Sequence, residues 1–271
     1  MEIASRFRVT GLCRDNNLER EITMRIYAIA ILALAAVPAF SQSYAAGTWS
    51  DNSVHLLDSN MNNVGSFSYA GALSNGIAAD GSSIYVGYFT PNNSMDVYDY
   101  SGNFQRHVDF AFGGNLQGFD YFNGEMAVAN GSDIDFFDPF SGANTRSLTG
   151  VITSTVEGLA GDGGNIWALG DTIDLIDGTT GALIRSISNA AANNSFGGTG
   201  LANSGANELT IATADGAWYK VSKTDGSILD SGNNGLDMFG LDTLNPVPEP
   251  FSMIALGGGI AALVARRRNK R

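Results

Sequence analysis

A short phrase of glycine, an apolar residue and a small or polar residue recurs five times in this chain. The copies are 42, 40, 42 and 40 residues apart, and they begin at Gly76, Gly118, Gly158, Gly200 and Gly240. A second phrase, an apolar segment that ends in a turn, recurs at intervals of 41, 39, 39 and 45 residues. Its turn positions are Asp58, Asp99, Asp138, Asp177 and Ser222. Two independent markers with one period near 41 residues indicate that a single structural unit is repeated.

Each unit reads as four short strands. In the fourth unit, "GLAGD", "NIWALG", "TIDLID" and "ALIRSIS" follow one another between residues 158 and 188. Alternation of apolar and polar residues predicts strands, and the Asp-Gly and Thr-Gly pairs between them predict tight turns. Four strands in about 40 residues are typical of one blade of a β-propeller. The 34 glycines and the missing 3.6-residue period exclude helical repeats of similar length.

The first unit begins in mid-blade, because "GTWSD" aligns Trp49 with Trp167 of a second strand. The missing first strand is "GLDTL" at Gly240, near the other end of the body. We therefore predict an all-β fold, a five-bladed β-propeller with one blade closed by both chain ends, which removes open sheet edges. The predicted blades are residues 47–70 with 240–245, 76–110, 118–149, 158–190 and 200–231. The repeats resemble the broad propeller group that includes NHL-, YVTN- and WD40-like proteins, and a β-sandwich or a six-bladed ring is the structural alternative.

The N-terminal segment has the pattern of a secretory signal. Met24-Arg25 precedes the apolar run 26–40, and small residues follow at Ala45 and Ala46. This order of basic, apolar and small-residue regions predicts a signal peptide within residues 1–46, cleaved by signal peptidase after Ala45 or Ala46. Residues 1–23 do not look like the front of a signal, so either the true start is Met24 or the basic region is long.

The C-terminal segment, residues 246–271, combines three features in a fixed order. The tetrapeptide "VPEP" (Val247, Pro248, Glu249, Pro250) is followed by 15 uncharged residues, 251–265, and then by a basic cluster that opens with Arg266, Arg267 and Arg268. The uncharged run predicts a short transmembrane helix, and the cluster should remain cytoplasmic as a membrane stop. This end resembles the PEP-CTERM sorting signal of Gram-negative, exopolysaccharide-producing bacteria. The resemblance implies processing by exosortase and delivery to the cell envelope or the extracellular matrix; a plain tail anchor is the alternative.

The charge of the body restricts its partners. Residues 47–245 contain 22 acidic and five basic residues, a net charge of −17. Such a surface repels nucleic acid and anionic lipid. The only cysteine, Cys13, lies in the predicted presequence, so the body has neither a disulfide nor a thiol nucleophile.

Motifs that carry catalytic chemistry are missing from the sequence. His55 and His107 fall in different blades, and a zinc site normally needs three or four convergent ligands. The chain has no Gly-x-Ser-x-Gly elbow and no Walker loop. The recurring Asp residues are expected to cap turns, with calcium binding as the alternative reading. We therefore expect no catalytic residue, no metal and no cofactor.

Two features of the body are candidates for ligand contact. One is a set of aromatic residues that fall within predicted strands and are expected to pack between blades, with a glycan-binding aromatic platform as the alternative: Trp49, Trp167, Trp218, Phe119, Phe136, Phe137 and Tyr98. The longest insertions, 88–95 and 190–198, are rich in Asn and Ser. The sequence thus predicts an exported, non-enzymatic binding or scaffold module for exopolysaccharide or envelope proteins. The rivals are a glycan-active enzyme that uses Asp residues at the channel mouth and an ice- or surface-adhesion protein.

Overall fold

The computed structural model describes residues 44–71, 74–88, 93–111, 116–194 and 197–244. Within them, twenty strands form five four-stranded antiparallel sheets, here called blades 1 to 5. Blade 1 contains β20 (Met238–Thr243), β1 (Tyr44–Thr48), β2 (Ser53–Leu57) and β3 (Asn63–Ser68). Blade 2 contains β4 (Ser74–Ala79), β5 (Ser83–Tyr88), β6 (Ser94–Asp99) and β7 (Phe104–Asp109). Blade 3 contains β8 (Phe119–Phe122), β9 (Glu125–Asn130), β10 (Asp133–Phe137) and β11 (Asn144–Leu148). Blade 4 contains β12 (Gly158–Asp162), β13 (Asn165–Leu169), β14 (Thr172–Asp177) and β15 (Leu183–Ser188). Blade 5 contains β16 (Gly200–Gly205), β17 (Glu208–Ala212), β18 (Ala217–Ser222) and β19 (Ile228–Asn233).

The first strands of the five blades, β20, β4, β8, β12 and β16, contact one another in ring order around a central axis. The predicted five-bladed β-propeller is therefore confirmed, and both the β-sandwich and the six-bladed count are wrong. The ring forms because each sheet must bury both faces, and a neighbouring blade covers each of them.

Blade 1 is built from both ends of the body, as the repeat predicted. β20 pairs with β1, and the register joins Tyr44 to Thr243, Ala45 to Asp242 and Ala46 to Leu241. One difference concerns the N-terminal boundary of the body. Strand β1 begins at Tyr44, whereas the body was predicted to begin at residue 47. Ala45 and Ala46, predicted to be the end of the signal peptide, are therefore buried inside the sheet.

The core is divided into five apolar clusters, each of which lies between two neighbouring blades. Between blades 3 and 4, for example, Phe136 packs with Ile166, and both side chains are fully buried. Trp167 and Trp218 are buried in two further clusters, so two of the three tryptophans are core residues as expected. The described part of the chain has no helix long and apolar enough to cross a membrane. The predicted transmembrane helix 251–265, the VPEP tetrapeptide and the basic cluster lie outside the described residues.

Candidate functional site

The two ends of the propeller differ in what they carry. At one end, here called the loop end, lie the connections between second and third strands and the connections from one blade to the next. At the other end, the hairpin end, lie the turns between first and second strands and between third and fourth strands. Both chain ends leave blade 1 at the hairpin end, because Tyr44 opens β1 opposite Thr243 near the end of β20. The two long insertions belong to connections at the loop end, although residues 89–92 and 195–196 lie outside the described residues.

Around the axis of the ring, the first strands of neighbouring blades pack against one another at the recurring glycines. A Cβ atom added to Gly200 would lie 2.6 Å from the backbone nitrogen of Leu241, and one added to Gly158 would lie 2.8 Å from that of Leu201. Gly240 completes the pattern, since its Cβ would lie 2.5 Å from the nitrogen of Ile77. The recurring glycine therefore exists because each first strand must lie directly against the next one.

A small recess remains on the axis at the loop end. Its lining includes Asn75, Glu157, Leu159 and Leu201, and it has no interior space for a water-sized sphere. Ligand pockets for drug-sized molecules usually occupy about 300 to 1,000 Å³, so the recess cannot enclose such a ligand. Burial raises the pKa of Glu157, which stands at the rim. The Asn75 amide donates to the carbonyl of Leu116 at 2.9 Å.

An aromatic pair lies beside this rim. Trp49, on the connection between β1 and β2, stacks on Phe239 of β20 with ring centroids 3.5 Å apart and planes 4° apart. The Trp49 indole N–H donates to the carbonyl of Ser74, which fixes the ring. Phe239 is 7% exposed, whereas Trp49 is partly exposed. Trp49 is thus the tryptophan that is available at the loop end.

The four recurring aspartates are turn caps at the hairpin end. Asp177 Oδ1 accepts from the backbone N–H groups of Thr179 (2.9 Å) and Thr180 (2.7 Å). Asp58, Asp99 and Asp138 each accept two backbone N–H bonds within their own turns. Such backbone bonds hold the pKa of Asp58, Asp138 and Asp177 below its usual range. The pKa of Asp99 is lowered first by the side-chain amide of Asn103 and then by the backbone bonds. The enzyme hypothesis required these residues to converge at the channel mouth, and the structure separates them among four turns.

The basic side chains of the body join neighbouring blades. Each of four donates to a carbonyl just after the turn position that the recurring Asp or Ser occupies in the next blade. The pairs are Arg106 to Pro139 (3.2 Å), Arg146 to Gly178 (2.7 Å), Arg185 to Lys223 (2.8 Å) and Lys220 to Ser59 (2.7 Å). The fifth, Lys223, is 6% exposed and pairs with Asp162 at 3.0 Å. All five basic residues between positions 47 and 244 thus make a polar contact within the protein, although only Lys223 is buried and Arg185 is exposed.

Two further carboxyl groups are buried near the axis. Asp120 and Asp242 both stand two residues after a recurring glycine. Asp242 accepts from the N–H of Ala79 at 2.7 Å, and Asp120 accepts from that of Gly161 at 2.6 Å, so each reaches into the next blade. Burial raises the pKa of Asp242 to about 7. Burial, and then the charge of Asp242, raise the pKa of Asp120 as well.

The histidines lie on outer strands, away from the axis. His55 Nε2 is 3.1 Å from Asp51 Oδ2, and His107 Nδ1 is 2.6 Å from Asp96 Oδ1. The Asp96 hydrogen bond raises the pKa of His107. These two pairs belong to different blades, so they do not form one site. Among the described residues, no group of three or more His, Cys, Asp or Glu side chains could hold a metal ion.

Comparisons with known proteins do not show a family for the chain. No protein-family model and no curated protein matches the chain. The crystal structure of the Myxococcus xanthus glutaminyl cyclase is similar at 18% identity with a TM-score of 0.48, over 69% of this chain and 82% of that one. A protein of unknown function from Bacteroides caccae is similar at 15% identity with a TM-score of 0.44, over 71% of this chain and 73% of that one.

Sequence reasoning missed two parts of this geometry. The contacts of the basic residues had a visible signal, because Arg106, Arg146 and Arg185 are 40 and 39 residues apart. Their acceptors are backbone carbonyls, however, which no residue type marks. The buried Asp120 and Asp242 occur in only two of the five repeats, so periodicity alone did not distinguish them from turn formers.

Proposed function

We propose that this protein is an exported, non-enzymatic β-propeller that is sorted through residues 246–271 to the cell envelope or matrix, where its loop end binds a neutral exopolysaccharide. Signal peptidase and exosortase are its processing partners in this proposal. The observation that carries it is that both chain ends leave the propeller at the hairpin end, whereas Trp49 lies at the opposite, loop end.

The first step concerns orientation. Tyr44 and Leu244 are both at the hairpin end of blade 1, where the polypeptide continues toward the N-terminal and C-terminal segments. Attachment through the C-terminal segment, before or after processing, turns this end toward the membrane. The loop end, with Trp49 and the two insertions, then faces outward. An outward-facing loop end is where a protein held at a surface can meet a polymer.

The second step concerns the ligand. Trp49 offers an amphipathic ring held in place by Phe239 and Ser74, and such a ring can pack against the C–H face of a sugar. Asn75 and Glu157, which line the axial recess at the same end of the propeller, supply hydrogen-bonding groups. Because residues 47–245 carry 22 acidic and only five basic residues, an uncharged glycan fits this surface better than an acidic one.

The binding experiment is affinity electrophoresis of the full chain in gels that contain dextran, galactomannan or xyloglucan. We expect at least one neutral polysaccharide to retard the protein and Trp49→Ala to remove the retardation. Val64→Ala is the matched control, because Val64 is a 66% exposed apolar residue of the same blade on an outer strand. Unchanged far-UV circular dichroism of Trp49→Ala shows that the fold is retained. Equal retardation of both variants would overturn the assignment of the site.

The sorting experiment is the intact mass of the protein recovered from membrane, matrix and medium of an exosortase-containing host. A species that has lost the segment after Pro250 supports sorting. A membrane-bound species that retains Arg266–Arg271 would leave a plain tail anchor and overturn the role of VPEP. This result is independent of the glycan-binding result.

A further inference from the structure

The small residues that end the apparent signal peptide belong to the folded body. Tyr44 is 1% exposed, and Ala45 and Ala46 are fully buried. The Tyr44 hydroxyl lies 3.2 Å from Thr210 Oγ1 in blade 5. Its ring packs with Leu57 and Trp218 in the cluster between blades 5 and 1. A fully buried tyrosine of this kind is among the side chains that contribute most to the stability of a core.

The same residues close the ring. β1 lies between β20 and β2, and four of its five residues, Tyr44 to Ala46 and Thr48, pair with both neighbours. The registered partners of Tyr44 to Ala46 on β20 are Thr243, Asp242 and Leu241. Removal of these three residues would leave β20 with the single pair of Thr48 and Met238 beyond the register shift. The first strand of blade 1 would then lose most of its hydrogen bonds, and buried backbone groups would be left unpaired.

We infer that the signal peptide ends before Tyr44 and that the peptidase cuts between Ser41 and Gln42. This inference rests on the proposed export of the protein. Ala39 and Ser41 supply the small residues at the third and first positions before the cut. A cut after Ser43 also has small residues at these positions, but it would place a new ammonium group on Tyr44, which is 1% exposed, and a buried charge without a partner is costly.

The step is a peptide-bond hydrolysis. The bond between the Ser41 carbonyl carbon and the Gln42 nitrogen breaks, water supplies the hydroxyl of the new Ser41 carboxyl group, and the Gln42 nitrogen becomes the free amine. Two residues, Gln42 and Ser43, then precede the strand. Ala45 and Ala46 are small because β1 is packed between two blades, and this packing requirement mimics a cleavage pattern.

The test is N-terminal sequencing, with intact mass, of the full chain exported by a Gram-negative host. We expect Gln42 as the first residue. Ser41→Tyr should block processing and leave the precursor, whereas Ser43→Tyr, the matched control two residues away, should be processed like the unaltered chain. A first residue of Ala46 or Gly47 would overturn this inference and leave export intact. A chain whose N-terminal segment is uncleaved would overturn the inference and the proposed export together.

Discussion

Arg146 of blade 3 donates from Nη1 to the carbonyl oxygen of Gly178 in blade 4 at 2.7 Å. The same guanidinium donates from Nε to Glu125 at 2.9 Å and lies 3.4 Å above the centroid of the Phe136 ring. One side chain thereby joins two strands of its own blade to the turn of the next. Because equivalent contacts recur at three other blade junctions, the ring is held at its periphery by basic side chains and at its axis by glycines.

Arg146→Ala is expected to destabilise the protein by about 1 to 3 kcal/mol, the usual cost when a charged hydrogen-bonding partner is lost. Arg146→Lys should recover only part of this loss, since an ammonium group cannot reproduce the planar, forked geometry. Urea unfolding of the full chain measures both variants against Val64→Ala, which should change stability by less than about 0.5 kcal/mol at its exposed site. Equal midpoints for Arg146→Ala and Val64→Ala would show that the junction contact contributes nothing.

The glycines at the axis predict a sharp contrast between two substitutions in neighbouring blades. At Gly200 an added Cβ would lie 2.6 Å from a backbone nitrogen, which cannot move aside as a side chain can. Gly200→Ala should therefore destabilise the protein by about 1 to 3 kcal/mol or more. At Gly164, in the hairpin between β12 and β13, an added Cβ meets no atom within 4 Å. Gly164→Ala should be neutral or slightly stabilising, by up to about 1 kcal/mol. Thermal unfolding of the two variants decides whether axial packing is the reason for the repeat.

Much of the fold could be predicted because a packing requirement that all blades share selects glycine at the same position of each repeat. Gly200 must be glycine because Leu241 of the next blade is too close for any side chain, and the same requirement recurs in each blade. The strand that completes blade 1 could likewise be predicted, since the recurring glycine phrase at Gly240 is not followed by the other strands of a blade. The N-terminal limit of the body at Tyr44 could not be predicted from the sequence. Small residues such as Ala45 and Ala46 suit both a tightly packed strand and a signal-peptidase site. A sequence pattern cannot separate two requirements that select the same small side chains.

Asp242 predicts an unusual pH dependence of stability. Burial raises its pKa from 3.8 to about 7, so between these values the folded state holds a proton that the unfolded state has lost. Its contribution to stability is therefore fully present below about pH 4, declines as pH rises, and is lost above about pH 7. The melting temperature should fall from pH 5 to pH 8, a window above the range in which the turn-capping aspartates are protonated.

Asp242→Asn isolates this effect. The raised pKa of His107 also makes stability fall as pH rises, but His107 is present in both proteins. The difference between their pH profiles therefore reports Asp242 and its interaction with Asp120. The asparagine can still accept from the Ala79 N–H, and its melting temperature should vary less over the window than that of the unaltered protein. Parallel pH profiles for the two proteins would contradict a raised pKa at this position.

The acidic balance of the body predicts that it binds neutral polysaccharides in preference to acidic ones. Acidic residues outnumber basic ones 22 to five in residues 47–245, and each of the five basic side chains already makes a polar contact within the body. Alginate in the gel should leave the mobility of the full chain unchanged at low salt, because like charges repel. Retardation by a neutral polysaccharide should be nearly the same at about 0.01 M and about 0.1 M salt, although the Debye length falls from about 30 Å to about 10 Å over that range. Retardation by alginate that salt abolishes would reveal an accessible cationic site and would contradict both the charge argument and the choice of a neutral glycan as ligand.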